Sequence, residues 1–281
     1  MRRTDIIIDG DNLREEYGVH LCKGSVANFI SLPQFKDMDS DDWAEEDYLD
    51  VDTSWQVFAR KEFDLTIAGG RSDVLHWSGA DSYAYMSLGI TNTPVALQKC
   101  VILGTTGYSS VNGLHIATVR FASDDDPYEL LDEHSYAGFQ PLSFDDGWSF
   151  ERLGSLVNFG AIGVRVLRGT EDSYIRRPAA KPPLERDVSI VAGVIRDSRN
   201  ETPSYQSSTL AINCLLSAGD SYSDFWDRYL HFLYMCTGSN VVIVHNGNRG
   251  RYLYSGMRVT EYLPSEPVPW LKFVINFTRI K

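Results

Sequence analysis

Residues 162–181, IGVRVLRGTEDSYIRRPAAK, have a counterpart at 17–36, YGVHLCKGSVANFISLPQFK. One offset of 145 aligns the two windows without a gap. It matches Gly18 with Gly163, Val19 with Val164, Gly24 with Gly169 and Ser25 with Thr170. It also matches Phe29 with Tyr174, Ile30 with Ile175, Pro33 with Pro178 and Lys36 with Lys181. A repeat of this length is too long for a solenoid and predicts two copies of one domain in tandem. The two halves then superpose, with these glycines at matching backbone positions.

The chain of 281 residues divides on this basis into a first domain at 1–122, a linker at 123–147 and a second domain at 148–281. Each half is long enough to bury its own core. Net charge is −12, which opposes a general grip on nucleic-acid phosphates or docking on an anionic membrane. Nine carboxylates fall between Asp37 and Asp52 with no base among them, and six more between Asp124 and Glu133. Such runs read as solvated loops. Cys22, Cys100, Cys214 and Cys236 show no CxxC spacing and predict free thiols in a reducing compartment. The start, MRRTDIIIDGDN, lacks the form of a signal peptide, and no segment approaches a membrane span.

Along the first half, the pattern predicts strands at 4–8, 17–22 and 28–35, and then at 55–67, where Phe63, Leu65 and Ile67 alternate with polar neighbours. A helix is expected within 72–88, short strands at 94–97 and 100–103, a turn at Asn112-Gly113 and a closing strand at 114–122. The second half repeats the plan, with strands at 164–167, 188–195 and 205–216. Its helix at 220–236, DSYSDFWDRYLHFLYMC, has one apolar face, a serine cap and Gly238 after its end. Strands at 241–244, 252–262 and 271–280 finish it. Runs of strands with one helix per half give a β-rich α+β fold: two tandem β domains, each with one flanking helix.

The order of these segments carries a family resemblance. It runs YGV or IGV, a Gly-hydroxyl pair, a Pro-Lys loop, an Arg-containing strand (ARKEFDLTI at 59–67), the helix FWDRYLHFLY, the hairpin RGRYLYSGMRV and the closing LKFVINFTRI. In this the chain resembles tail proteins of long-tailed bacteriophages, above all the distal tail protein between tail tube and baseplate. The resemblance covers 156–281 closely and 17–121 more loosely. It implies a tail-tube-like β-barrel or sandwich domain that assembles into a ring around a DNA channel. Two tube-like domains in tandem depart from the usual distal tail protein and resemble baseplate hub proteins, in which a trimer of two-domain chains makes a pseudo-sixfold ring. The implied partners are other copies of the chain, as that trimer or as a hexamer, and neighbouring tail and baseplate proteins. DNA would pass through the lumen without specific binding, and an acidic wall would repel its phosphates. The implied location is the virion tail, after synthesis in the bacterial cytoplasm.

No GxSxG, P-loop, HExxH or GxGxxG pattern is present, and the six histidines show no metal-ligand spacing. The expectation is therefore a protein without enzymatic activity, cofactor or metal. His115 and His231 fall in apolar patterns and read as core or edge residues. Trp43 and Trp148, in polar surroundings, are the candidate partner-contact residues. The alternative function is a β-sandwich carbohydrate- or receptor-binding module that uses exposed aromatics. A third is a hydrolase built on the carboxylates of 37–52.

Overall fold

The computed structural model describes residues 4–33, 35–36, 57–58, 61–71, 86–94, 98–123, 131, 139–152, 154–170, 174, 185–187, 194–196, 208–238, 241–265 and 268–280. In chain order the strands of the first half are β1 (Ile6–Ile8), β2 (Asp11–Asn12), β3 (His20–Leu21), β4 (Phe35–Lys36), β5 (Val57–Phe58), β6 (Lys61–Gly69), β7 (Met86–Ile90), β8 (Gln98–Val111) and β9 (Leu114–Ser123). Those of the second are β10 (Trp148–Arg152), β11 (Ser155–Asn158), β12 (Val164–Val166), β13 (Glu185–Asp187), β14 (Val194–Arg196), β15 (Thr209–Leu216), β16 (Val241–His245), β17 (Asn248–Leu263) and β18 (Trp270–Ile280). The helices are α1 (Leu13–Tyr17), α2 (Ser25–Ile30), α3 (Phe159–Ile162) and α4 (Tyr222–Cys236).

The protein is β-rich, with two seven-stranded antiparallel sheets and few helices. The first sheet runs β2-β1-β7-β8-β9-β6-β3 and the second β11-β10-β16-β17-β18-β15-β12. Matched position by position, the two orders coincide. The Gly-Val segments sit at the same place in both: Gly18 ends α1 and Gly163 ends α3, each in the left-handed conformation just before an edge strand.

These short helices are not legible as helices in the sequence. The expected strands at 17–22 and 28–35 are largely replaced by α1, a two-residue β3, and α2. Asn12 caps α1, its side chain accepting from the Arg14 and Glu15 N–H groups, and Asn158 caps α3 by accepting from the Gly160 N–H. An Asn at one end and a left-handed Gly at the other hold a single turn that shows no periodicity.

The sheets are stitched by apolar pairs on one face. Phe63, Leu65 and Ile67 of β6 lie opposite Phe121, Val119 and Ala117 of β9, all 6% exposed or less. Leu210, Ile212 and Cys214 of β15 lie opposite Phe277, Ile275 and Phe273 of β18, all 2% exposed or less. Each such large side chain contributes about 1.5–3 kcal/mol by leaving water.

Of the two expected short strands, 100–103 lies within one long strand, β8, which runs on through Gly104 and Gly107, whereas Pro94 lies in a bend before it and 95–97 lie outside the described residues. Gly104 marks a register shift opposite Arg120 at φ 138°, and Gly256 marks the corresponding shift in β17 opposite Asn276 at φ 132°. A glycine that reads as a breaker is here a β-bulge. Gly256→Ala is expected to lower stability by about 1–3 kcal/mol, because a Cβ strains that backbone region. A urea midpoint equal to the parent's would contradict this.

Helix α4 spans Tyr222–Cys236 within the expected 220–236. The Ser221 hydroxyl accepts from the Asp224 N–H, and Thr237, rather than the expected Gly238, caps the far end. Of the first-half helix expected at 72–88, Met86, Ser87 and Leu88 belong to strand β7, and 72–85 lie outside the described residues. Among the described residues no helix is long and apolar enough to cross a membrane.

Candidate assembly interface

The first half meets the second through helix α2. Ser25 opens it: its hydroxyl accepts from the Thr66 N–H at 2.8 Å and donates to the Thr66 carbonyl at 2.9 Å, which ties the helix to β6. Phe29 is fully buried and packs edge-on against Phe63 at 5.5 Å. The buried Lys61 ammonium donates to the Phe29 carbonyl and lies 5.3 Å from the Phe29 ring, so a cation closes the last turn.

Beyond that turn, three consecutive features reach the other half. The Tyr229 hydroxyl on α4 donates to the Ile30 carbonyl at 3.1 Å. The Ser31 hydroxyl accepts from the Val259 N–H at 2.9 Å and donates back to the Ala27 carbonyl at 2.7 Å. The Tyr254 hydroxyl on β17 donates to the Pro33 carbonyl at 3.1 Å. Tyr229 and Tyr254 are 1% and 2% exposed. Burial pushes both phenol pKa values well up, so both stay neutral donors at any physiological pH. The contact joins unlike surfaces: the α2 side of one half and the β17–α4 side of the other.

Residues 139–147, placed in the linker from sequence, strap onto the second half. The Leu142 N–H donates to the Ala161 carbonyl at 2.9 Å. Asp146 accepts from the Trp148 and Val166 N–H groups at 3.2 and 3.0 Å. Burial raises its carboxyl pKa, and those two N–H groups oppose the rise. Arg228 of α4 donates to the Gln140 and Ile162 carbonyls and to Asp224.

Of the two sequence-derived contact residues, only Trp148 is among the described residues. Trp43 lies outside the described residues. Trp148 is 1% exposed. Its ring stacks on His245 at 3.9 Å and meets Tyr174 edge-on at 5.3 Å, so it is a core residue and not a surface anchor. Its polar neighbours, Asp145, Asp146 and Gly147, form the tight turn that feeds it into β10. Of the residues that join the halves, Ser31, Tyr229 and Tyr254, the two tyrosines carry a shared signal. A tyrosine on an otherwise apolar face has a hydroxyl that needs a buried partner.

Other chemistry is sparse. Among the described residues no group of three or more His, Cys, Asp or Glu is placed to hold a metal ion. The four cysteines are free; Cys100, Cys214 and Cys236 are buried, and burial pushes the Cys214 and Cys236 thiol pKa values well up. The acidic run at 37–52 lies outside the described residues.

No family model and no curated protein matches this chain. Among solved structures, it is similar to the SPP1 Dit (gp 19.1) protein, described as a paradigm of the hub adsorption apparatus in phages that infect Gram-positive bacteria. The identity is 16%, the TM-score 0.30, and the match covers 47% of this chain and 49% of that one. The chain therefore spans about half the length of the structure it matches.

Proposed function

We propose that this protein is a structural component of a phage or prophage tail that forms a ring at the junction of tail tube and baseplate. It is a tandem duplication with domains at 1–122 and 148–281, the second extended by the strap at 139–147. The order of sequence motifs supports the tail reading. The shared strand order and the paired bulge glycines support the duplication.

The observation that carries the ring is the contact between the halves. It joins two different surfaces of two like domains, which makes it heterologous. Within one chain it uses up the α2 side of the first half and the β17 side of the second. The opposite two sides remain for the next copy. Repetition of such a contact closes a ring when its rotation divides a full turn, and otherwise yields a filament. Two domains per chain give a trimer the pseudo-sixfold form. The net charge of −12 suits a lumen that passes DNA without holding it.

Electron microscopy of the purified full chain over a range of concentrations tests this reading. Closed rings with threefold symmetry, pseudo-sixfold in projection, are expected. A chain that stays monomeric at every concentration, alone and with neighbouring tail proteins, would sink it.

A further inference from the structure

Lone exposed apolar side chains are ordinary on a protein surface, and only their grouping carries information. Here they are grouped, and the grouping occurs twice. Val111 pairs with Leu114 at the end of the β8–β9 hairpin, and Leu263 pairs with Trp270 at the end of β17–β18. The two places are equivalent. Leu114 stands six residues before Arg120, the partner of the bulge glycine Gly104, and Trp270 six before Asn276, the partner of Gly256. Val111, Leu114, Leu263 and Trp270 are 60%, 47%, 37% and 45% exposed.

Alternation puts both pairs on the outer faces of the sheets. Ala117, Val119 and Phe121 of β9 and Leu271, Phe273 and Ile275 of β18 face the cores, all 1% exposed or less. Leu114 and Trp270 point to the opposite side. This side is not the one used by the seam between the halves, where Tyr254 lies opposite Phe277.

The two tips differ in charge. Cys100 to Val119 contains no Lys, Arg, Asp or Glu, in a chain with 26 Lys and Arg and 38 Asp and Glu. Exposed strands usually carry charges that keep other strands away, and depletion of charge marks the core of a protein interface. On the second tip the next outward pair is Glu261 and Lys272, joined at 2.6 Å.

We propose that the first hairpin tip, at Val111 and Leu114, packs on the second, at Leu263 and Trp270, of another copy of this chain. One two-fold axis makes this contact twice. The operator that sets the first tip on the partner's second also sets the second on the partner's first. An axis through a pair of like tips would leave the other tips in water. The uncharged first tip also brings no charge against the Glu261–Lys272 pair, so that pair stays joined and unopposed. Trp270 is the anchor, since a tryptophan at the centre of a small contact contributes much of its energy. The contact leaves the seam untouched and goes beyond the ring reading. Applied to a ring, the same axis stacks a second ring on it, with every first tip of one facing a second tip of the other.

Photo-crosslinking of the full chain tests it. Leu114 is replaced by p-benzoylphenylalanine, unlabelled and nitrogen-15-labelled chains are mixed before assembly, and cross-linked peptides are identified by mass spectrometry. Mixed-isotope cross-links that end at residues 261–263 or 270–272 are expected. Trp270→Glu and Val111→Glu, each at an exposed site, should raise the concentration at which copies or rings pair by on the order of tenfold or more. Sedimentation velocity reads this, and the circular dichroism spectrum should not change. Cross-links that are absent, intrachain or end elsewhere would overturn the tip contact, as would pairing of both variants at the parent concentration. Rings that never stack in pairs would overturn it and leave the ring reading standing. Paired chains that never close a ring would keep it and sink the ring. A chain that stays monomeric would overturn both.

Discussion

Arg228→Ala is expected to destabilise the second half by about 3 kcal/mol, in the range for breaking a buried charge network. Arg228 is 2% exposed, and its guanidinium serves four groups at once. It donates to Asp224 at 3.0 Å, to the Ile162 carbonyl at 3.2 Å and to the Gln140 carbonyl at 2.7 Å, and it lies 4.6 Å from the Phe139 ring. Those partners come from α4 itself, from the end of α3 and from the strap at 139–147. Truncation leaves two carbonyls without their donor and a carboxylate, one-fifth exposed, without its cation. Arg228→Lys should recover less than half of the loss, because one ammonium cannot span the three directions of the planar fork. Urea unfolding followed by tryptophan fluorescence measures both variants. A midpoint for Arg228→Ala within error of the parent would show that the strap is held by other contacts.

Arg228 also marks a limit of local sequence pattern. The periodicity of 220–236 locates α4 and its apolar face, since seven aromatic, aliphatic or thiol side chains recur there at helical spacing. Arg228 falls beside them as an ordinary charged residue, and nothing local announces that two remote segments, the end of α3 and the strap, converge on it. Strands with strict alternation, such as 61–69 and 271–280, are legible for the same reason as the helix: one face is buried and the period is short.

The illegible elements are of two kinds. Short helices such as α1 and α2 are not fixed by repetition: α1 has a cap at each end, and α2, which has no side-chain N-cap, is held by packing and by the bonds of Ser25 to Thr66. SVANFI reads as weak alternation because six residues cannot distinguish the two periods. The bulges are the second kind. Gly104 and Gly107 inside 98–111 have the composition of a break, and only the partner strand shows that hydrogen bonding continues past them. The repeat at 17–36 and 162–181 is legible because the constraint on Gly18 and Gly163 is backbone conformation. Both take positive φ, 69° and 101°, which few side chains tolerate.

The contact candidates show a different limit. Trp43 and Trp148 stand out in the sequence because polar residues surround them, which makes exposure an inference from neighbours. For Trp148 that inference fails on the turn before it. Asp145 accepts from the Gly147 N–H at 2.8 Å, and Asp146 turns its carboxylate back onto the Trp148 and Val166 N–H groups. The acids are occupied with backbone donors, and the chain that emerges from them points inward.

Trp148→Ala should therefore act through stability and not through partner binding. The side chain is 1% exposed, stacked on His245 with an interplanar angle of 14° and in contact with Tyr174 and Phe159 at centroid distances of 5.3 and 6.4 Å. Removal of a buried aromatic of this size costs about 3–5 kcal/mol, because the cavity it leaves closes only in part. Trp148→Phe keeps most of the volume and an aromatic face toward His245, so it should lose less than half as much. The two roles separate cleanly by experiment. A core residue lowers the unfolding midpoint, and assembly of the surviving folded protein is unchanged once concentration is corrected for the folded fraction. A surface anchor leaves the midpoint unchanged and raises the concentration needed for assembly. Thermal unfolding alongside sedimentation of the same samples reads both quantities. A parent-like midpoint with lost assembly would return Trp148 to the surface.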